Sequence, residues 1–135
     1  MAARYLLDSC ILISFAEGRA PKVASRLAGL ATIRIVLSSI VFAELATGAA
    51  KSRDPATALS KLAELANNYP PLPFDADDAF AYGRIRATLE RKGASIGPMD
   101  LLIAAQAVAR GLVLVTDNLR EFRRVPGLQC ENWMR

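Results

Sequence analysis

The sequence predicts an α/β fold: a small, mostly parallel sheet covered by helices, in a single domain spanning residues 1–135. Short, continuously apolar runs are typical of strands that are buried on both faces. Each run is followed by a segment with helical spacing of its apolar residues, and this alternation favours a parallel sheet. The composition, with 53% hydrophobic and 22% charged residues, is that of a compact globule that needs no disulfides to fold.

The first two units each pair a strand with a helix. Residues 5–7 form an apolar run, and residues 10–17 continue with helical spacing up to a glycine. The β-branched run 33–37 predicts the second strand. Ser38 is a favourable N-cap for a helix over residues 40–48.

The second half of the chain adds three helices and two strands. Residues 57–67 and 76–92 predict amphipathic helices separated by a proline-rich breaker. A Gly-Pro pair opens a strongly apolar helix over residues 98–110, and an Arg-Gly pair ends it. Residues 112–115 and 128–133 predict the last two strands.

The composition excludes several classes of site. The chain has no histidine, which rules out Ser-His-Asp triads, Cys-His pairs and histidine-containing zinc sites. Cys10 and Cys130 lack CxxC spacing, so neither a disulfide framework nor a thiolate metal site is indicated, and we expect a reducing, cytoplasmic setting. The longest uncharged stretch, residues 65–74, contains three prolines and predicts no membrane span.

Four acidic residues occupy positions where catalytic groups are often found. Asp8 and Asp117 each follow a predicted strand, and the carboxyl ends of parallel strands border the ligand crevice. Glu44 is surrounded by apolar residues along its helix, so we expect it to be buried, and Asp100 lies in the first turn of the most apolar helix. Each acid alone could be a turn residue, a cap or an ion-pair partner.

As a set, the four acids predict a divalent-cation site. Four carboxylates converging on one crevice repel each other unless a cation is bound. Oxygen ligands without histidine favour Mg²⁺ or Mn²⁺ over zinc. Asp75, Asp77 and Asp78 are assigned to helix capping, and Glu121 is expected at the surface, where it could also add an outer contact to the site.

The remaining charge suits a polyanionic substrate. The chain carries 17 Lys and Arg against 13 Asp and Glu. With the four site acids set aside, the rest of the molecule has a net charge of about +8. Candidates for contacts with a substrate backbone are Arg84, Arg86, Arg91, Lys92, Arg120, Arg123 and Arg124.

Four segments then form a set that is specific by its order and spacing. They are Tyr5-Leu6-Leu7-Asp8-Ser9, the segment from Ser38 to Glu44-Leu45-Ala46-Thr47-Gly48, the segment from Ile96-Gly97-Pro98-Met99-Asp100 to Ala105, and Val115-Thr116-Asp117-Asn118 with Phe122. Together they resemble the PIN-domain ribonucleases of the VapC toxin type, and the resemblance extends to Glu131-Asn132-Trp133 near the end of the chain.

The resemblance implies a PIN-like three-layer α/β/α fold and an endoribonuclease that depends on Mg²⁺, with Mn²⁺ as the alternative ion. The implied catalytic and metal-binding acids are Asp8, Glu44, Asp100 and Asp117, with Ser9, Thr116 and Asn118 in support. The metal would activate water, neutralise the scissile phosphate and stabilise the leaving oxygen. The family usually has Asp-Thr-Asn after the first strand, whereas Ser9 and Cys10 follow Asp8 here.

Partners are also implied by the resemblance. VapC-type toxins cleave RNA, form homodimers and are silenced by a VapB-type antitoxin, sometimes in higher toxin–antitoxin assemblies. The helices around residues 58–65 and 80–89 are expected to accommodate such an antitoxin.

Rival functions can be weighed on the residues alone, and only the first of them remains open. A PIN-like module could bind RNA or protein without cleaving, since Cys10 replaces an amide that could orient Asp8. A dehalogenase-like phosphatase would need an Asp where Cys10 stands, and a phospho-receiver would need an acidic pair before Asp8. An RNase H-like nuclease would open with antiparallel strands, but residues 10–17 have helical spacing.

Overall fold

A computed structural model describes residues 3–135, so Met1 and Ala2 of the predicted domain lie outside the described residues. The described part contains one four-stranded sheet, built from β1 (Tyr5–Leu7), β2 (Ile35–Val36), β3 (Val113–Val115) and β4 (Gln129–Glu131). The strand order is β2-β1-β3-β4, and every neighbouring pair is parallel. The predicted α/β class with a small parallel sheet is therefore confirmed.

Seven α-helices accompany the sheet in residues 3–135. They are α1 (Ser9–Ala16), α2 (Pro21–Ala28), α3 (Ser39–Ala50), α4 (Pro55–Asn68), α5 (Ala76–Arg91), α6 (Pro98–Arg110) and α7 (Leu119–Phe122). Proline occupies the first position of α2, α4 and α6, where its missing N–H costs nothing. Helix α6 ends at Gly111, whose φ of 65° is the left-handed conformation that glycine adopts readily.

Three local predictions differ from the structure. Residues 33–37 do not form one strand, because a 3₁₀ turn (Thr32–Arg34) leaves Ile33 61% exposed before β2 begins. Helix α2 has no counterpart among the predicted elements, because it is only eight residues long and Val23 is its one buried apolar residue. The last strand is shorter than predicted, since Trp133 leaves the sheet and packs edge-on against Tyr5 at 5.0 Å between ring centroids.

The core lies around the two central strands and the helices beside them. Leu6 of β1, Leu114 of β3 and Ile103 of α6 are fully buried. Helices α5 and α6 pack closely along their lengths, and α3 packs on α4. None of the helices in residues 3–135 has the length and apolar character needed to cross a membrane.

The acids that precede α5 cap that helix, as predicted. Asp75 accepts hydrogen bonds from the backbone N–H groups of Asp77 and Asp78, and the Asp78 carboxylate accepts one from the Asp75 N–H. Asp78 is fully buried and forms an ion pair with Arg110 of α6 at 3.1 Å. This pair helps to lock α5 onto α6, away from the acids considered next.

Candidate active site

The candidate site lies where the two central strands end. Asp8 follows β1, and Thr116 and Asp117 follow β3. The chain leaves β1 toward β2 on one side and later returns to form β3 on the other side. A crevice at such a reversal of strand order is the usual ligand site of open α/β sheets.

Asp8 is buried and held by several donors. It is 5% exposed, and its Oδ1 accepts a hydrogen bond from the Ser9 backbone N–H at 2.8 Å. Its Oδ2 accepts one from the Thr116 hydroxyl at 2.9 Å, and the Thr116 oxygen in turn accepts from the Asn118 N–H at 3.1 Å. The three residues predicted to support the site thus contact the acids directly or through one another.

Cys10 also contacts Asp8, at the position where the family usually has an amide. Its thiol lies 3.5 Å from Asp8 Oδ2 and can donate to it. Burial, followed by the negative charge of Asp8, raises the pKa of the Cys10 thiol to about 11. The thiol therefore keeps its proton at neutral pH and remains a donor toward Asp8.

Glu44 projects from α3 toward the same crevice. The Ser9 hydroxyl donates to its Oε1 at 3.2 Å. Partial burial raises the pKa of Glu44, the Ser9 hydrogen bond lowers it, and the charge of Asp8 raises it again. The prediction that Glu44 is buried is wrong: it is half-exposed, because the buried residues of α3 are Val41 and Phe42 on the face toward the core.

Asp100 has the most perturbed carboxyl group of the site. Its pKa is raised to about 7, first by burial and then by the charge of Glu121 and a hydrogen bond with it. The charges of Asp8 and Glu44 raise it further. The structure therefore brings Asp8, Glu44 and Asp100 into one electrostatic cluster.

Glu121 contacts the site, which is the less favoured of the two roles expected for it. It is not a simple surface residue: its Oε1 accepts a hydrogen bond from the Gly97 N–H at 2.9 Å, and its Oε2 accepts from the Asn118 side chain. A Cβ at position 97 would lie 3.4 Å from Asp100 Oδ2, so glycine leaves space for the two carboxyl groups. In the sequence, Glu121 lies just after the segment that forms β3, and this position places it near the carboxyl edge of the sheet.

Asp117 stands apart from that cluster. Its side chain is exposed, and its Oδ1 accepts a hydrogen bond from Asn132 at 3.2 Å. Its backbone N–H instead faces the Cys10 thiol. The fourth carboxyl group beside Asp100 is thus Glu121 in this structure.

The chemistry of this donor set fits a hard divalent cation. All four groups of the cluster are carboxylates, and the ion pairs of residues 3–135 use other acids, namely Glu17, Asp75, Asp78, Glu90 and Glu131. Clustered carboxylates without a cationic partner have high proton affinity and a corresponding affinity for metal ions. Within the described residues, no three such groups are close enough to hold a metal as they stand, so binding requires side-chain movement.

Comparison with known proteins agrees with this geometry. The sequence pattern of the PIN domain matches residues 5–128. The tRNA(fMet)-specific endonuclease VapC of Salmonella typhimurium is 39% identical over 130 residues, which cover 96% of this chain and 98% of that protein. Ribonuclease VapC2 of Rickettsia felis is 46% identical over 99 residues, or 73% of this chain and 74% of that protein.

Solved structures extend the similarity to three dimensions. DNA-bound VapBC from Salmonella typhimurium matches with a TM-score of 0.91 at 39% identity, over 97% of this chain and 98% of that chain. The strand order, the acidic crevice and these similarities lead to one assignment. The chain belongs to the PIN domain family and, within it, to the VapC ribonucleases.

Proposed function

We propose that this chain is an endoribonuclease that depends on Mg²⁺ or Mn²⁺ and acts as the toxin of a toxin–antitoxin pair. The observation that carries the proposal is the carboxylate cluster of Asp8, Glu44, Asp100 and Glu121, in which burial, followed by the neighbouring negative charges, raises the pKa of Asp100 to about 7. Ribonuclease names among relatives that align along nearly the whole chain support the same reaction.

The metal would be held by Asp8, Glu44 and Asp100, with Glu121 or Asp117 as the further acid. When bound, the ion supplies water activation and neutralises charge on the scissile phosphate. Thr116 and Cys10 keep Asp8 oriented, and Ser9 orients Glu44. The hydrogen bond between Asp100 and Glu121 holds a proton near neutral pH, and cation binding would release it.

We propose structured RNA, and specifically a transfer RNA, as the substrate class. The support is the Salmonella typhimurium relative, which is named as a tRNA(fMet)-specific endonuclease. Among the predicted backbone contacts, Arg86 is paired with Glu90 and Arg124 donates to the Ser95 carbonyl. Arg120 and Arg123 are exposed on either side of Glu121, and we consider them the best placed to meet a phosphate near the site.

Cleavage in the presence and absence of metal tests the proposal. We expect the purified chain to cleave initiator tRNA in Mg²⁺ or Mn²⁺, to lose all activity in EDTA, and to regain it when excess metal is added. Fragments separated on a denaturing gel give the readout. A chain that binds the RNA equally well in both buffers but never cleaves it would instead be the non-catalytic PIN-like module.

An apolar cavity of about 430 Å³ supports an antitoxin partner. Its wall is formed by α1, α3 and α4 and includes Leu12, Leu45, Ala58, Leu62 and Leu65. Solved relatives are VapBC complexes, and we propose that an apolar segment of a VapB-type antitoxin fills this cavity, with the toxin as a homodimer. Residues 58–65, expected to accommodate the antitoxin, contribute to this wall. Residues 80–89, expected to do the same, lie in α5, which packs against α6 and does not line the cavity.

Substituting Leu62 tests the antitoxin site separately from catalysis. Leu62→Asp places a charge on the cavity wall, so we expect loss of co-purification with a co-expressed VapB-type antitoxin. RNA cleavage by the isolated variant should remain, because none of the four clustered acids lines the cavity. Leu59→Asp on the same helix is the matched control, since Leu59 is exposed and not part of the wall. Equal antitoxin binding by both variants would contradict the assignment.

A further inference from the structure

A second cavity, of about 490 Å³, lies at the edge of the sheet beside β4. One wall is α2, which contributes Lys22 and Arg26. The other wall is the end of the chain, from Glu131 through Asn132 and Trp133 to Arg135. The cavity is distinct from the apolar one, and polar and charged side chains dominate its lining.

The side chains lining this cavity carry a net positive charge, and two of the three cationic ones form no ion pair with the described part of the chain. Arg26 Nη2 lies 3.1 Å from Glu131 Oε1, and the Trp133 indole N–H donates to the same oxygen at 3.0 Å. The Arg26 guanidinium also stacks over the Trp133 ring at 4.8 Å. Glu131 is therefore neutralised by Arg26, whereas Lys22 and Arg135 are exposed and join none of the ion pairs within residues 3–135.

The cavity is linked by hydrogen bonds to residues beside the carboxylate site. Asn132, which lines it, donates a hydrogen bond to the Asp117 carboxylate. The backbone of Glu131 accepts a hydrogen bond from the Thr116 N–H at 2.9 Å, and Thr116 also holds Asp8. The basic cavity therefore lies next to the segment that follows β3, on the side of Asp117 away from the carboxylate cluster.

We propose that this cavity binds a backbone phosphate of the RNA strand beyond Asp117, with Lys22 and Arg135 as its positioning residues; the proposal rests on the proposed function. A phosphodiester provides the negatively charged partner that Lys22 and Arg135 lack. Arg26, Trp133 and Glu131 form the wall of the cavity and contact one another through an ion pair, a hydrogen bond and ring stacking. Because the phosphate contacts lie away from the reacting atoms, they act on RNA binding and on KM, with kcat unaffected.

Binding in EDTA tests the proposal without any cleavage. Affinity for fluorescein-labelled tRNA is measured by anisotropy for the parent and the double variant Lys22→Ala, Arg135→Ala. One phosphate contact contributes about 0.7 to the salt slope on a single strand, so the double variant should lose about 0.7 in slope and on the order of tenfold in affinity near 0.1 M salt. The matched control is Lys51→Ala, Arg53→Ala, which removes two exposed cations between α3 and α4 and should leave both quantities unchanged.

Trp133 reports on the location of the bound RNA. It is the single tryptophan of the chain, so a change in tryptophan emission on saturation with tRNA reports on this cavity. We expect such a change in the parent and in the control. An unchanged fluorescence signal in the parent, or parental affinity and salt slope in the double variant, would overturn the proposal.

The cleavage assay in Mg²⁺ separates this inference from the proposed function. We expect KM for tRNA to rise about tenfold in Lys22→Ala, Arg135→Ala with kcat unchanged, in line with the lost phosphate contacts. A parental KM in the variant rejects the cavity and leaves the nuclease assignment intact. A parent that never cleaves rejects the nuclease assignment, while the binding data still decide whether the cavity takes RNA.

Discussion

Replacing Asp100 with asparagine is expected to lower the rate of RNA cleavage by about a thousandfold or more. The substitution removes one of the carboxylates proposed to hold the metal and the group with the most strongly raised pKa in the cluster. The side chain keeps its size, and the loss of one negative charge relieves repulsion with Glu121, Asp8 and Glu44. The variant should therefore fold as well as the parent.

Cleavage rates of purified variants in Mg²⁺, with melting temperatures to verify folding, check this result. Asp117→Asn is the matched carboxylate-to-amide control, and its exposed position leads us to expect a loss of less than about tenfold. Glu121→Gln should behave like Asp100→Asn. If Asp117→Asn loses most of its activity while Glu121→Gln cleaves normally, Asp117 is the fourth metal-binding carboxylate. Parental activity in Asp100→Asn would contradict the nuclease assignment.

Without metal, the free energy of unfolding is expected to fall as the pH rises from about 4 to about 7. The Asp100 pKa is about 7 in the folded chain, against an ordinary value of 3.8. The folded state therefore holds a proton that the unfolded state has already released. The contribution of Asp100 is fully present below pH 4 and is lost as the pH rises through 7. The raised pKa of Glu44 acts in the same direction.

Thermal melts in EDTA between pH 4 and pH 8 measure this effect. The difference in melting temperature between the parent and Asp100→Asn isolates the contribution of Asp100, because other titrating groups are common to both. We expect the parent to lose several degrees relative to the variant across this range, and Mg²⁺ or Mn²⁺ to restore them at pH 7.5 by binding the ionised cluster. Melting curves that shift in parallel with pH would show that Asp100 titrates normally.

Local sequence signals accounted for most of the elements. The helices α3, α5 and α6 start at residues that can be recognised from their neighbours alone, a serine cap, an acidic capping box and a Gly-Pro pair. Two predictions failed for different reasons. Helix α2 is only eight residues long and buries one apolar residue, and the run 33–37 is interrupted by a 3₁₀ turn that its β-branched residues do not indicate. Hydrophobic pattern is a strong signal only where one face of an element is consistently buried.

The sequence by itself determined the fold class and the presence of Asp8, Glu44 and Asp100 at one edge of the sheet, because strand ends and helix starts follow from patterns within a few residues. Tertiary structure alone decided that Glu121 joins them, since the Gly97 N–H that holds it comes from 24 residues away. It likewise turned Asp117 outward to Asn132 and closed the cavity between α2 and Trp133. Such contacts depend on how separate elements pack, and their free energies are not encoded in any local periodicity.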